Sequence, residues 1–161
     1  MADPNVFSPQ WDLEFPDPRW PGRMCGVARH AGAKKLGATV YEFEAGGGLP
    51  YHAHSAREEM LVVLSGSPEV RTPEGRRMLE PGTIVSFPPG DAGAHQILNP
   101  GPEAARVLMV STMEYPDVAK HVDVGNTIVF QESGEVQAFP PGVEVPFFDA
   151  MTGAMEAGDG A

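Results

Sequence analysis

Glycines and prolines, 19 and 17 of them in 161 residues, cut this chain into short pieces and leave little room for a long helix. Between the breaks, the pieces are rich in valine, isoleucine, threonine and aromatic residues: RMCGVARH (23–30), GATVYEFEA (37–45), EEMLVVLSG (58–66), PEVRTPEG (68–75), TIVSFPPG (83–90), AHQILNPG (94–101) and ARVLMVSTM (105–113). Such residues suit a pleated, half-buried surface, and short strands recurring at this rhythm predict an all-β sandwich or barrel. TPEG, 72–75, reads as a hairpin turn in which Pro73 supplies a fixed φ and Gly75 supplies freedom. PDVAKHV, 116–122, is the one helical hint, a turn or two long. With 42% hydrophobic residues, a chain of this length buries roughly 68–70% of the surface its unfolded form exposes, enough for one core and one domain.

Residues 1–22 carry Pro4, Pro9, Pro16, Pro18 and Pro21 among scattered aromatics, which predicts an extended arm laid against the body and anchored by Trp11 and Trp20. The body then spans 23–140. After Phe139 the pattern lapses, so 141–161 is expected to be a C-terminal extension with a mobile end. The N-terminus has neither a basic start nor an apolar signal core, and no apolar run approaches the length of a membrane span. Cys25 has no second cysteine to pair with and is expected to pack as a small hydrophobe. A soluble, cytoplasmic protein follows as the expectation, with no membrane partner. The formal net charge of -11 would repel a phosphate backbone, so nucleic acid is excluded as a partner too.

The chemistry concentrates in GGGLPYHAHSAREEMLVVLSG, 46–66. In a strand, residues i and i+2 face the same side, so His52 and His54 project together, and paired imidazoles suit transition metals. Two ligands rarely hold an ion alone. A carboxylate follows at once: Glu58 shares the parity of the histidines if the strand runs straight through, and Glu59 does if a turn or bulge intervenes at SAR. Spacing alone leaves that choice open. Further on, GTIVSFPPGDAGAHQILN, 82–99, places His95 at the start of another apolar strand after a Pro/Gly-rich turn, as a natural third imidazole.

These residues resemble the cupins. The first cupin motif is met by Gly46, His52, His54, Glu59 and Gly66, and its register selects Glu59, which stands six residues before Gly66. The second is met by Gly82, Pro88, Gly90, His95 and Asn99, except that four residues rather than two precede the histidine, which lengthens the turn. The likeness spans roughly 36–112 at motif level, and NVFSPQWD, LPYHAHSAREEMLVVLSG, VRTPEGRR and VLMVSTMEYPD are similar to small bacterial single-domain (type-2) cupins. The resemblance implies a double-stranded β-helix, or jelly-roll, barrel. It also implies one divalent transition metal ion per chain (Zn, Fe, Mn or Ni), held near one mouth by His52, His54, Glu59 and His95. Four ligands on an octahedral ion leave two positions open.

From the resemblance follow three readings of function: a metal-dependent enzyme of dioxygenase or isomerase type on a small neutral or chelating molecule, a non-catalytic binding or sensing module, or a structural role. The first is preferred. Gln96, Tyr51 and Tyr41 are candidates for orienting substrate. His30 and His121, which match no motif, are expected to be hydrogen-bonded structural residues, and Glu42, Glu44 and Glu58 solvated charges. The basic side chains are expected to lie away from the cavity, Arg57 in the turn between ligands and Arg71, Arg76 and Arg77 around the TPEG hairpin. Tyr41, Phe43, Leu61, Val63, Phe87 and Ile97 should line it instead. Finally, EEMLVVLSG is apolar at both parities, so the outward face carrying Met60, Val62 and Leu64 needs a cover, which predicts a homodimer to which residues 1–30 contribute.

Overall fold

The computed structural model describes residues 3–145 and 148–151, and the expected mobile end lies beyond them. Among those residues, short strands follow the punctuation of the sequence: β1 (Leu13–Glu14), β2 (Gly22–Cys25), β3 (Leu36–Phe43), β4 (His52–His54), β5 (Glu59–Ser65), β6 (Glu69–Thr72), β7 (Gly75–Met78), β8 (Ile84–Phe87), β9 (Gln96–Leu98), β10 (Ala105–Thr112), β11 (Asp117–His121), β12 (Asn126–Phe130) and β13 (Val136–Phe139). One short helix, α1 (Val27–His30), interrupts them after β2. No helix among the described residues is long and apolar enough to cross a membrane.

The strands form an all-β jelly roll. One wall is a six-stranded antiparallel sheet in the order β1-β2-β3-β10-β5-β8. The other combines β13-β12-β11-β4 with β7-β6-β9, linked by the bridges His52–His95 and Gly48–Leu98. Strand alternation decides what each wall buries. In β3 the odd positions Thr39, Tyr41 and Phe43 face inward, while Ala38, Val40 and Glu42 face the arm. Phe43, Leu61, Val63, Val70, Phe87, Ile97 and Val107 close one end of the barrel as a dense core. The opposite end stays open.

The N-terminal residues lie along the outer face. Val6 and Trp11 pack with Cys25, Val27, Val40, Leu64 and Leu108, and Cys25 is buried as a small hydrophobe. The Trp11 ring is flanked by the guanidinium groups of Arg23 at 4.4 Å and Arg106 at 5.5 Å. Both arginines also bind Glu42, which is therefore a half-buried clasp rather than the solvated charge expected. So the arm covers Leu64, whereas Met60 and Val62 are half-buried beside Ile84, which is 60% exposed.

Two segments depart from the sequence reading. RMCGVARH divides at Gly26 into β2 and α1, because the Gly26 amide donates to Asp12 at 2.8 Å and turns the chain. PDVAKHV is no helix but strand β11, paired with β4 on one side and β12 on the other. The hairpin at TPEG is as expected, β6 and β7 joined across Pro73 and Glu74.

Candidate metal centre

His52, in the short strand β4, is flanked on both sides by histidine. His95 is its partner across the bridge to β9, with both backbone N–H···O bonds made, at 3.0 and 2.8 Å; His121 of β11 is its partner across the other edge. Partners facing each other in adjacent strands put their side chains on one face, so three imidazoles stand in a row. Ring centroids are 4.5 Å apart for His52–His95 and 6.3 Å for His52–His121. His54 follows two residues on, its ring edge-on to His52 at 5.1 Å.

Glu59, the first residue of β5, points at this row from the opposite wall. Its Oε2 lies 3.2 Å from His95 Nε2, 3.6 Å from His54 Nε2 and 3.9 Å from His52 Nε2. The chain between β4 and β5 runs through a turn, which resolves the parity question in favour of Glu59, while Glu58 is exposed and uses its backbone N–H on Thr112. The longer turn before His95 folds as a 3₁₀ turn, Asp91–Gly93. Gly93 is required there, because a Cβ would fall 1.7 Å from the Pro88 carbonyl oxygen. His95 then stacks on Phe87 with centroids 3.8 Å apart.

The other ring nitrogen of each histidine is tied down. His52 Nδ1 donates to the Pro50 carbonyl at 2.8 Å, His95 Nδ1 to the Gly93 carbonyl at 2.9 Å, and His54 Nδ1 to the Asp117 carboxylate at 2.5 Å. Carbonyl and carboxylate oxygens only accept, so Nδ1 carries the proton and each Nε2 presents a lone pair inward. Burial, then the neighbouring His95, pushes the His52 pKa down to about 4, so the ring is neutral at ordinary pH. Burial alone would raise Glu59, but the adjacent His95, then His54 and His52, outweigh it and hold its carboxyl below the usual range. Three inward lone pairs around an ionised oxygen repel one another unless a cation sits among them. His95 Nε2 is moreover buried with no hydrogen-bond partner among the described residues. Such a donor set fits a divalent transition metal, with His52, His54 and Glu59 offering atoms within 4.8 Å of one another and His95 completing the group through Glu59.

Asp117 is the residue that the sequence concealed. Fully buried, it accepts from His54 and from the Ala56 amide at 3.0 Å, and stands 3.6 Å from Arg57 Nε. Burial raises its pKa, but the His54 and Ala56 hydrogen bonds outweigh this and lower it. Read with period 2, Asp117, Ala119 and His121 share one face of DVAKH, and that alternation was the available signal.

The cavity in front of these groups has a volume of about 360 Å³ and passes between Tyr41, Met109, Met113, Ile128 and Phe130. Of the six residues expected to line it, only Tyr41 does; Phe43, Leu61, Val63, Phe87 and Ile97 belong to the core beneath. Tyr41 is driven up to about 12 by burial and then by the Glu59 charge, so its hydroxyl keeps its proton. Gln96 turns to the opposite face from His95, and Tyr51 lies under Arg71, 3.9 Å from ring centroid to guanidinium; neither lines the cavity. Two further sequence expectations are overturned. His121 lines the cavity rather than serving as a structural histidine, and Arg57 lines it rather than standing clear. His30 is elsewhere, bonded to Asp12 at 2.8 Å; the Asp12–Cys25–His30 group already spends its carboxylate on Gly26, His30 and Arg29.

Residues 39–111 match the cupin domain family. The chain has the cupin fold. Solved structures share the architecture over 73–92% of the chain. A sugar phosphate isomerase of the cupin superfamily from Silicibacter pomeroyi is 20% identical, covering 92% of this chain and 98% of its own, with a TM-score of 0.77. A protein named as a candidate sugar phosphate isomerase from Acidithiobacillus ferrooxidans is 24% identical, covering 84% and 87%, with a TM-score of 0.71. A polyketide cyclase from Streptomyces resistomycificus is 21% identical over 73% and 83%, at 0.59. These likenesses establish the fold. No curated protein sequence matches this chain.

Proposed function

We propose that this cupin is a metal-dependent enzyme of isomerase or dioxygenase type, acting on a small chelating molecule, with one divalent ion (Zn, Fe, Mn or Ni) held by His52, His54, Glu59 and His95. The observation that carries the reading is the convergence of three tautomer-locked Nε2 atoms on Glu59 Oε2. When bound, such an ion supplies Lewis-acid polarisation of a chelating oxygen ligand. The chain supplies the rest. Asp117 holds the proton on His54 Nδ1 and keeps that ring aimed. Tyr41, protonated at all working pH, presents a hydroxyl donor to a ligand oxygen. His121, its pKa lowered by burial and then by His54, is neutral and stands in the cavity as a proton acceptor outside the ligand set. Met109, Ile128 and Phe130 keep water from the remaining wall.

Two neighbours are named for sugar phosphates, and a single cavity arginine argues against that substrate class here, since a doubly charged group in an apolar cavity needs more than one cation. The alternative, a non-catalytic binding module, is favoured by the small number of titratable groups left over once four residues take the ion. We also infer a homodimer, since Met60, Val62 and the exposed Ile84 extend the apolar surface beyond the reach of the arm. The test of enzyme function is turnover of a panel of β-dicarbonyls, catechols and small hydroxy acids by metal-loaded protein. Conversion that stops on chelation and is lost in His54→Ala supports catalysis. Saturable binding without conversion across the panel favours the binding module.

A further inference from the structure

Arg57 sits where an arginine without a ligand is hard to account for. It is 9% exposed, lines the cavity, and its guanidinium lies over the rings of Tyr115 at 4.5 Å and Phe130 at 4.9 Å. Among the described residues, its Nε is the one atom with a hydrogen-bond partner, the Glu114 carbonyl at 3.2 Å. Nη2 is buried with none among them. A guanidinium packed on two rings is held from water, and a buried unpaired donor of this kind carries a desolvation cost that a ligand acceptor would relieve.

Charge narrows what that acceptor is. Among the residues lining the cavity, Arg57 is the one cation besides the histidines, and Glu59 the one carboxylate. Asp117, buried behind His54, balances Arg57 at 3.6 Å. With neutral imidazoles and a divalent ion against Glu59, the centre retains one net positive charge. A monoanion neutralises it; a dianion leaves an uncompensated charge against Met109, Ile128 and Phe130.

We infer that Arg57 is a specificity-determining residue that anchors the carboxylate of the ligand, so that the centre takes small chelating monoanions of the hydroxy- or oxo-carboxylic acid class. This rests on the metal reading above. Hydroxyl or carbonyl oxygen would address the ion while the carboxylate takes the free Nη2 edge, a charge-assisted contact that a neutral amide does not replace.

The experiment is calorimetric titration of the metal-loaded protein with glycolate, with its neutral analogue glycolamide and with inorganic phosphate, in the wild type, Arg57→Gln and Arg57→Lys, with metal content and thermal unfolding measured on each. The wild type should prefer glycolate over glycolamide by about tenfold or more, and over phosphate; Arg57→Gln should lose about tenfold of the glycolate preference at unchanged metal content. Arg57→Lys, which keeps a charge beside Asp117, should fold even if the glutamine variant does not, and should keep a weakened preference because it lacks the planar fork. An unchanged glycolate-to-glycolamide ratio in either folded variant, or tighter binding of phosphate than of glycolate, overturns the inference. If the wild type takes no metal, the metal reading fails on its own. The same titrations on that protein then decide the anchor: an Arg57-dependent preference supports it, and its absence overturns it.

Discussion

Replacing Asp117 by asparagine keeps the shape of the side chain and changes its bonding. The carboxylate accepts from His54 Nδ1 at 2.5 Å and from the Ala56 amide at 3.0 Å, one oxygen to each. Asparagine has one accepting oxygen and an NH₂ group that only donates, so one of those two N–H groups must face a donor. Losing one buried, charge-assisted bond costs about 1.5–3 kcal/mol. Arg57, 3.6 Å away, loses its buried counter-charge as well, and breaking a buried pair by removing one partner costs about 3–5 kcal/mol, which sets the upper end. At the proposed metal centre, loss of a carboxylate that orients a histidine ligand should weaken metal binding by about 10–100-fold. Zinc titration against a competing chromophoric chelator reads the affinity, and urea unfolding of the metal-free protein reads the stability. An Asp117→Asn variant that binds zinc within about twofold of wild type, below the range typical for such outer-shell partners, would refute the role given to Asp117.

His95→Ala should lose most of its metal while its strand content by circular dichroism is kept, whereas Glu58→Ala, altering an exposed side chain, should retain it; the reverse pattern in elemental analysis would mean that the site is aimed otherwise. Glu42 gives a pH dependence. Burial raises its pKa, but Arg106 and Arg23 outweigh this and lower it, so the unfolded state binds the proton more readily. Its stabilisation is therefore complete above the unfolded value of about 4.3 and is lost as pH falls through the lower folded value, and Glu42→Gln should flatten that acid limb in urea midpoints. Light scattering at micromolar concentration should give a dimer mass, and a monomer would leave Ile84 facing water.

What could be read in the sequence was what lies close together along the chain. His52 and His54 share a face by strand parity alone, and the two motifs brought in Glu59 and His95 because the spacing that fixes their register lies within a few residues of each. The order of short strands was also readable, because Gly and Pro mark their ends. Asp117, His121 and Arg57 were not. The first two owe their places to the pairing of β11 with β4, more than sixty residues away, and Asp117 reaches His54 across 63 residues of sequence. PDVAKHV carries alanine and lysine, which suit a helix, and only the β4 and β12 edges on either side make it a strand. Arg57 turns inward because Asp117, Tyr115 and the Glu114 carbonyl await it, all from that same distant segment. The pocket wall was misassigned for a related reason. Parity tells which side of β5 faces inward, but not how far along the barrel the core stops, so Leu61 and Val63 share the face of Glu59 and yet pack below the cavity.

The central claim is that four side chains hold one ion. Elemental analysis of protein purified without a metal-affinity tag tests it most directly, with His52→Ala and His54→Ala prepared alongside. The account predicts close to one divalent transition metal per chain in the wild type and a small fraction of that in either variant. A wild-type protein that comes out metal-free and takes up no iron, manganese, zinc or nickel when these are added would contradict it.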